Sequence, residues 1–188
     1  DAARAAVDAA KAHSDGTLLV APRLEDRYAS YGVVAEIVQL GRLATGEPAA
    51  VIKAERRVRI GSGVSGPGTA LWVEAEELPE PAHETEEVTK LAAEYKSLVI
   101  ATLQRRDAWQ VIDTVNRLTD PSTLADLAGY APWLSDERKR QLLETPDVTT
   151  RLTTLIEWTK AYIAETEVND KIADDVREGM EKSQREFL

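Results

Sequence analysis

Apolar residues recur along this chain with two different spacings, and the change from one spacing to the other divides the sequence into two parts. Up to residue 78, short apolar runs that end in glycine-containing turns are typical of strands. From residue 84 onward, apolar residues recur at three- and four-residue intervals, as on one face of a helix. The pattern predicts an α+β protein, in which a small antiparallel, barrel-like sheet precedes a helical bundle and a long C-terminal helix.

The first part begins with a predicted helix over 1–13, which has no evident N-cap. Four predicted strands follow, and turns over 41–46 and 61–66 flank the third of them. The third strand places apolar and charged side chains on opposite faces, although Arg56 interrupts this alternation. Its predicted apolar face comprises Ile52, Ala54, Val58 and Ile60. The predicted strands cover 17–21, 32–40, 49–60 and 70–75.

The prolines of the segment Leu78-Pro79-Glu80-Pro81 mark the predicted boundary between the two parts, because proline interrupts both helices and sheets. The charge changes at the same place, from a net −2 over 1–78 to a net −8 over 79–188. We therefore predict a β-rich subdomain, a linker, a helical bundle subdomain and a long C-terminal helix. Their predicted bounds are 1–78, 79–83, 84–146 and 147–188.

Residues that commonly cap helices mark the predicted helix starts of the second part. After a first helix over 84–106, Asp107 is a predicted N-cap, with Gln110 at the capping-box position. Further helix starts are predicted at Asp120-Pro121, Ser135 and Thr145-Pro146.

The last predicted helix runs from Pro146 to Leu188, much longer than the ~11–12 residues usual in globular proteins. It ends without a stop signal, so we expect the chain to be a fragment whose last helix leads into a further segment. Beyond Val168 the apolar positions become sparse, and this part is predicted to extend as an arm that buries little. The predicted packing stripe before it comprises Leu152, Leu155, Ile156, Thr159, Tyr162 and Ile163.

The composition narrows the classes of function. The net charge of −10 disfavours nucleic acids and anionic membranes as main partners. The sequence has no cysteine and no apolar run near the ~18 residues of a membrane span, and a cytoplasmic location is expected. His13 and His83 lie far apart without partners at metal-ligand spacing, so neither a metal nor a bound cofactor is expected.

Two motifs resemble chemical sites but have simpler interpretations. The sequence GSGVSG over 61–66 matches the dinucleotide fingerprint, but Pro67, Gly68 and a strand follow it where a nucleotide site needs a helix. We interpret it as a flexible hairpin segment, and the sequence contains no P-loop for ATP. Glu74 and Glu76 share a strand face that we interpret as solvated, and no catalytic residue is predicted.

Lys53, Arg57 and Arg59 form a basic strand face that could hold an anion. Pairing with carboxylates across the sheet is the favoured interpretation, because the chain as a whole is acidic. The tryptophans are expected in the core or at contacts between subdomains, and the alternative is that one or two of them contact a partner. They are Trp72, Trp109, Trp133 and Trp158.

Leu43 is the candidate for contact with a partner protein. It lies in a predicted turn, where no strand face hides it, and Gly41 and Gly46 flank it with an adaptable backbone. Isolated exposed leucines are common, so an ordinary surface residue is the alternative. If Leu40 and Ala44 lie beside it, the three residues form a small apolar surface suited to unfolded segments.

Much of the sequence resembles the N-terminal region of bacterial Lon proteases, particularly those of actinobacteria. The resemblance covers nearly all 188 residues, in the order of that family. The stretches that carry it are "DGTLLVAPR", "YGVVAEIVQLGRLATGEPAAVIKAERRVRIG", "ALWVEAEEL", "LAAEYKSLV", "DPSTLADLAGYAPWL", "KRQLLETPDVTTRL" and "MEKSQREFL".

The resemblance implies a PUA-like β subdomain, a helical bundle and a long helix that leads into an AAA+ ATPase and a Ser-Lys protease. It implies hexamers that capture misfolded or degron-bearing cytoplasmic proteins, with ATP and Mg²⁺ bound elsewhere in the full protein and none by this stretch. First strands of the "PVLPLR" kind are missing from this sequence, so part of the implied surface is in doubt. Two alternatives stay open, which are a structural module that orders the hexamer and a PUA-like RNA-binding module.

Overall fold

The computed structural model describes residues 1–79 and 85–187. The chain forms two compact units, each assembled from two segments. Unit 1 consists of Asp1–Glu80 and Ser135–Pro146, and unit 2 of Pro81–Leu134 and Asp147–Leu188. Apart from Pro79, the predicted linker over 79–83 lies outside the described residues. Residues 135–146, which the sequence assigned to the helical bundle, are grouped with the sheet.

Unit 1 contains a four-stranded antiparallel sheet in the order β1-β2-β3-β4, so each strand pairs with the next along the chain. Helix α1 precedes the sheet, and helix α5 belongs to the same unit. The buried side chains of this unit include Ala10, Val34, Ala35 and Val58. The elements are α1 (Ala2–His13), β1 (Thr17–Val20), β2 (Tyr31–Arg42), β3 (Pro48–Val64), β4 (Trp72–Glu77) and α5 (Asp136–Leu143).

Several details of unit 1 differ from the prediction. Helix α1 does have an N-cap, because the carboxylate of Asp1 accepts a hydrogen bond from the amide of Ala3. Strand β3 continues through Val64, so four of the six residues of the predicted turn over 61–66 are strand. Arg56 interrupts the alternation because a β-bulge lies beside it: Val34 pairs with Arg56, and the next pair joins Ala35 to Ala54.

Unit 2 is helical, and its long last helix confirms the prediction of roughly 40 residues. The buried residues Leu152, Leu155, Ile156 and Thr159 confirm the first part of its packing stripe. The helices are α2 (Glu86–Arg105), α3 (Trp109–Arg117), α4 (Pro121–Asp126), a 3₁₀ turn (Leu127–Tyr130) and α6 (Val148–Glu186). Together with the sheet of unit 1, these helices confirm the α+β class.

The structure confirms two predicted N-caps in the second part of the chain and corrects two others. Asp120 caps α4, and Ser135 caps α5, each through its side-chain oxygen. Asp107 does not cap α3: its φ is 56°, and Ala108 takes the N-cap position without a side-chain hydrogen bond. Asp147 caps α6 in place of Thr145, whose hydroxyl donates to the carbonyl of Gln141 at the end of α5.

Arg151 on α6 is the largest fully buried side chain of the described residues. Its Nη1 lies 2.5 Å from Oδ1 of Asp126, and its Nη2 donates to Oγ of Ser122 at 2.8 Å. Both partners belong to α4, so one guanidinium joins the two helices of unit 2. Burial of this charge is tolerable because these polar partners replace its water.

Candidate functional site

The distal halves of β2 and β3 form a two-stranded ribbon. Strand β1 pairs with β2 only over 33–36, and β4 pairs with β3 only from Val58 onward. Among the residues that the structure describes, 37–42 of β2 and 48–54 of β3 therefore find strand partners only in each other. We call these two segments and the turn between them the β2–β3 ribbon.

The ribbon carries exposed apolar side chains, although such residues are rarely concentrated on a surface without a reason. Leu40 pairs with Ala50, and Ala50 shares a face with Ile52 because the two are two residues apart on β3. Leu40 and Ile52 therefore lie on the same face of the ribbon. The exposed fractions are 52% for Val38, 44% for Leu40, 54% for Leu43, 55% for Val51 and 42% for Ile52.

The structure brings the three predicted contact residues together at the end of this ribbon. Leu40 lies near the end of β2, Leu43 is the first residue after it, and Ala44 follows in the turn. All three are exposed. Their role in contact with a partner stays a prediction, and the geometry allows it.

The turn holds the backbone of Leu43 while its side chain faces solvent. The amide of Leu43 donates to the carbonyl of Glu47 at 2.8 Å, and the amide of Gly46 donates back to the carbonyl of Leu43 at 2.9 Å. Nη1 of Arg42 donates to the carbonyl of Gly46 at 2.8 Å. Gly46 has a φ of 89°, which glycine adopts without strain, whereas Gly41 is part of β2 and not of the turn.

Val38, Val51 and Ile52 are exposed on the same ribbon but were not predicted as contact residues. The sequence placed Ile52 on the same face as Val58, yet Val58 is 1% exposed and Ile52 is 42% exposed. The register shifts between Ile37 and Gln39, so Val38 is an extra residue of β2 that alternation does not reveal. The sequence feature that indicated this surface was the high content of Val and Ile in 37–42 and 48–54. These are the parts of β2 and β3 that extend beyond β1 and β4.

The arginine side chains of β3 are engaged in contacts of unit 1. Nε of Arg56 lies 3.0 Å from Oε1 of Glu77, and Nη1 of Arg59 lies 3.7 Å from Oε2 of Glu76. For Arg59, the predicted pairing with a carboxylate across the sheet is confirmed. Nε of Arg57 instead donates to the backbone carbonyl of Leu143 at 2.9 Å.

The GSGVSG segment packs against tryptophan. A Cβ added to Gly66 would lie 2.3 Å from the indole ring of Trp72, so the glycine makes room for that ring. The indole nitrogen donates to the carbonyl of Pro67 at 3.0 Å, which closes the loop. No helix follows this segment, because β4 does, and the glycines therefore serve packing in place of a pyrophosphate.

The tryptophans are less buried than predicted. Trp109 is 58% exposed at the start of α3, which corrects its assignment to a core or subdomain contact. Trp133 is half-buried and stacks on Tyr162, with ring centroids 4.6 Å apart and an angle of 8° between the planes. Trp72 contacts His13 edge to face at 6.4 Å.

Unit 1 also contains a cleft of about 610 Å³. Side chains of both charges line it between the loop after β1 and helix α5, together with Pro22, Leu24 and Leu143, so it offers no single charge to a ligand. Over residues 1–79 and 85–187, no group of three or more His, Asp or Glu side chains is placed to hold a metal ion. The same residues contain no helix with the length and apolar character of a membrane span.

Shifted pKa values occur in unit 2, whereas the ribbon belongs to unit 1. Burial raises the pKa of the Tyr95 hydroxyl. The hydroxyl and then the amide of Thr150, which both donate to the carboxylate of Asp147, lower the pKa of that residue. Both groups belong to structural positions, a helix core and a helix cap, and neither indicates acid–base catalysis.

Comparisons with known proteins agree with this geometry. The family model of the ATP-dependent protease La (LON) substrate-binding domain matches residues 1–161. The chain is 65% identical over 188 residues to the Lon protease of Mycolicibacterium smegmatis, covering 100% of this chain and 24% of that protein. It is 58% identical over 185 residues to the Lon protease of Salinispora arenicola, covering 98% and 24% respectively.

A solved structure is also similar to this chain. The N-terminal domain of the Mycobacterium avium complex Lon protease matches with a TM-score of 0.81 and 62% identity, covering 85% of this chain and 86% of that one. The chain spans about a quarter of the length of the curated relatives named above. The chain therefore belongs to the family of Lon protease substrate-binding domains.

Proposed function

We propose that this chain recognises misfolded or degron-bearing proteins for an ATP-dependent Lon protease and contacts them with the β2–β3 ribbon. The observation that carries the proposal is the cluster of exposed apolar side chains on that ribbon, which includes Leu40 and Leu43. Ala44 completes the contact surface in the turn. The chain itself supplies no chemistry in this proposal.

The physical basis is the difference between folded and unfolded proteins. Unfolding adds exposed apolar segments, and a surface that binds them must itself be apolar and accessible. Val51 and Leu43 are each more than half exposed, so a partner can remove them from water. Burying such a side chain contributes about 1.5–3 kcal/mol when it is complete, and several partly buried ones suffice for weak capture.

The partners and the location follow from the same proposal. Because the chain spans about a quarter of its curated relatives, ATP hydrolysis with Mg²⁺ and peptide-bond cleavage are assigned to other parts of such a protein. The further partners are those parts and other subunits of the same assembly, and the proposed location is the cytoplasm. Neither a membrane nor a nucleic acid is a proposed partner, and the net charge of −10 supports the latter point.

NMR shift mapping tests this function. We would titrate the isotope-labelled chain with a permanently unfolded protein and, in parallel, with the same protein folded. The proposal expects shifts at the ribbon residues with the unfolded form and none with the folded form. Shifts confined to unit 2, or equal shifts with both forms, would contradict it.

A structural role in ordering subunits is the second candidate, and a specific observation supports it. Exposed apolar side chains recur every four residues along the second half of α6, with exposed fractions of 56–66%. Tight self-association through this segment, together with no affinity for unfolded protein, would favour this candidate over the first. The residues are Val168, Ile172, Val176 and Met180.

A further inference from the structure

We infer that the outer edge of β3 over residues 49–54 captures extended segments of unfolded proteins by adding them to the sheet as a further strand. The inference rests on the proposed function and specifies its mode of recognition. It assigns part of the binding to backbone hydrogen bonds, which are independent of the side-chain sequence of the segment.

The hydrogen-bond pattern of the ribbon shows which backbone groups face outward. The amide of Leu43 donates to the carbonyl of Glu47, so these two residues form a hydrogen-bonded pair. Hydrogen-bonded and non-hydrogen-bonded pairs alternate along an antiparallel ladder. The pair Leu40–Ala50 is therefore non-hydrogen-bonded, and Ala50 directs its N–H and C=O away from β2.

The same pattern continues to Ile52. Its partner Ile37 donates its amide to the carbonyl of Gly16 at 2.8 Å, on the side of β2 that faces away from β3. The pair Ile37–Ile52 is thus non-hydrogen-bonded as well, and Ile52 also directs its N–H and C=O outward. Ala50 and Ile52 together offer two donors and two acceptors at the spacing of a strand.

This outer edge is bounded at both ends. Pro48 has no N–H to donate, and the bulge at Glu55 changes the direction of the strand. Beyond it, β4 occupies the edge from Val58 onward. Exposed strand edges are usually blunted by proline, bulges and lysine. Here Pro48 and the bulge flank the segment, Lys53 lies within it, and no described strand pairs with its outer edge.

The side chains of the open segment suit a third strand. Val51 and Ile52 point to opposite faces and are 55% and 42% exposed. An added strand would place apolar side chains beside each of them, on both faces of the ribbon. A two-stranded ribbon is only marginally stable by itself, so a third strand also stabilises it.

The occupant is a transient peptide segment and not a second copy of this chain. A strand of this length is roughly 20 Å long and lies roughly 5 Å from its neighbour. Edge-to-edge contact over such a segment falls well short of the roughly 1,200 Å² that a specific, stable interface buries. Folded proteins already use their backbone groups internally, so strand addition distinguishes them from unfolded chains.

The test uses a soluble peptide that alternates valine and serine, and the same peptide N-methylated at every interior residue. N-methylation removes the backbone donors on both edges and leaves the peptide more apolar. We expect the unmodified peptide to bind and the N-methylated one to bind at least tenfold more weakly, as for the loss of two or more hydrogen bonds. Equal or tighter binding of the N-methylated peptide would overturn strand addition.

A variant of this chain tests the same backbone hydrogen bonds by removing a donor from β3 and not from the peptide. Ala50→Pro removes one outward N–H and keeps an apolar side chain, and Ala50→Val is its control. We expect roughly three- to tenfold weaker peptide binding for the proline variant alone, the effect of one hydrogen bond. The N-methyl comparison, made on the unaltered chain, decides the question if the proline variant does not fold.

The outcomes separate the two proposals. If unfolded protein binds and the N-methylated peptide binds equally well, strand addition is wrong and apolar capture stands. If neither unfolded protein nor peptide shifts any ribbon residue, the proposed function fails with it. Dimerisation of the chain through the 49–54 edge, detected by sedimentation and blocked by Ala50→Pro, would assign the edge to a second copy and overturn the inference.

Discussion

Arg57 on β3 donates a hydrogen bond from Nε to the backbone carbonyl of Leu143, 86 residues further along the chain, at 2.9 Å. Leu143 is the last residue of α5, where helix carbonyls have no partner within the helix. The guanidinium therefore satisfies the end of α5 and joins it to the sheet. This contact is one of those that join residues 135–146 to the strands within unit 1.

Replacing Arg57 should release α5 from the sheet. We expect Arg57→Met to lower the free energy of unfolding by about 2 kcal/mol, as for a hydrogen bond to a charged group. Arg59→Met is the matched control, because the contact of Arg59 among the described residues is an exposed ion pair at 3.7 Å. Exposed pairs contribute about 0–1 kcal/mol. Urea unfolding followed by circular dichroism measures both variants, and equal losses would show that the contact with Leu143 is unimportant.

Leu43→Asp should weaken the binding of an unfolded protein by roughly 1–2 kcal/mol, the transfer free energy of a partly buried leucine. It should change stability by less than about 0.5 kcal/mol, because the side chain is exposed. Fluorescence anisotropy with a labelled unfolded protein provides the affinity.

The control for this variant is Leu71→Asp, which alters an even more exposed leucine, 71% exposed, in the β3–β4 loop of the same unit. It should leave binding unchanged. Unaltered binding in a folded Leu43→Asp variant would remove Leu43 from the site, and a large fall in melting temperature would show that Leu43 stabilises the ribbon.

The glycines of the GSGVSG segment should differ in their tolerance of a methyl group. Gly66→Ala places a Cβ against the indole of Trp72 and should destabilise unit 1 by about 1–3 kcal/mol, the usual cost of overpacking. Gly63→Ala should be tolerated, since its Cβ would meet only the carbonyl of Trp72 at 3.9 Å. Thermal unfolding with tryptophan fluorescence compares them, and a larger loss for Gly63→Ala would contradict the packing role of Gly66.

The N-cap of α6 should depend on pH. Asp147 has a pKa below its ordinary value because the hydroxyl and amide of Thr150 donate to it. A lowered folded-state pKa means that the cap contributes fully above the unfolded pKa of about 3.9, and that its contribution disappears as pH falls through the folded pKa. Asp147→Ala should therefore cost about 1 kcal/mol at neutral pH and less near pH 3.

The Ser135 cap of α5 is the control for that experiment, because its hydroxyl does not titrate in this range. Ser135→Ala should lose a similar free energy at both pH values, when unfolding by urea is measured at pH 7 and pH 3. A loss that is independent of pH for Asp147→Ala would show that the carboxylate charge is unimportant to the cap.

The second half of α6 should open more readily than the first. Leu152 and Leu155 are fully buried, whereas the described residues from 171 onward are exposed. Amides from about Asp170 should exchange with solvent faster than those from Leu152 to Ile163 in native-state hydrogen exchange. Equal, strong protection of both halves in a demonstrated monomer would contradict this prediction.

The sequence by itself determined the elements whose signals are local. Asp120 and Ser135 cap their helices as predicted, because a cap needs only a side-chain oxygen and the amide three residues on. The spacing of Leu152, Leu155 and Ile156 identified the buried face of α6, because helical periodicity fixes which residues share a face. The exposed turn at Leu43 was also local, since glycines and a short loop mark it.

Only the tertiary structure decided features that depend on a distant partner. Alternation gave Ile52 and Val58 the same face, but the β-bulge at Glu55 inserts an extra residue between them and breaks the alternation, and Val58 is buried whereas Ile52 is exposed. The bulge at Val38 and the strand character of 61–64 likewise depend on the neighbouring strand. Helix α5 contacts the sheet through Arg57, and no local spacing in the sequence predicts this contact. The backbone groups at strand edges and helix ends form hydrogen bonds with whichever chain segment folds against them.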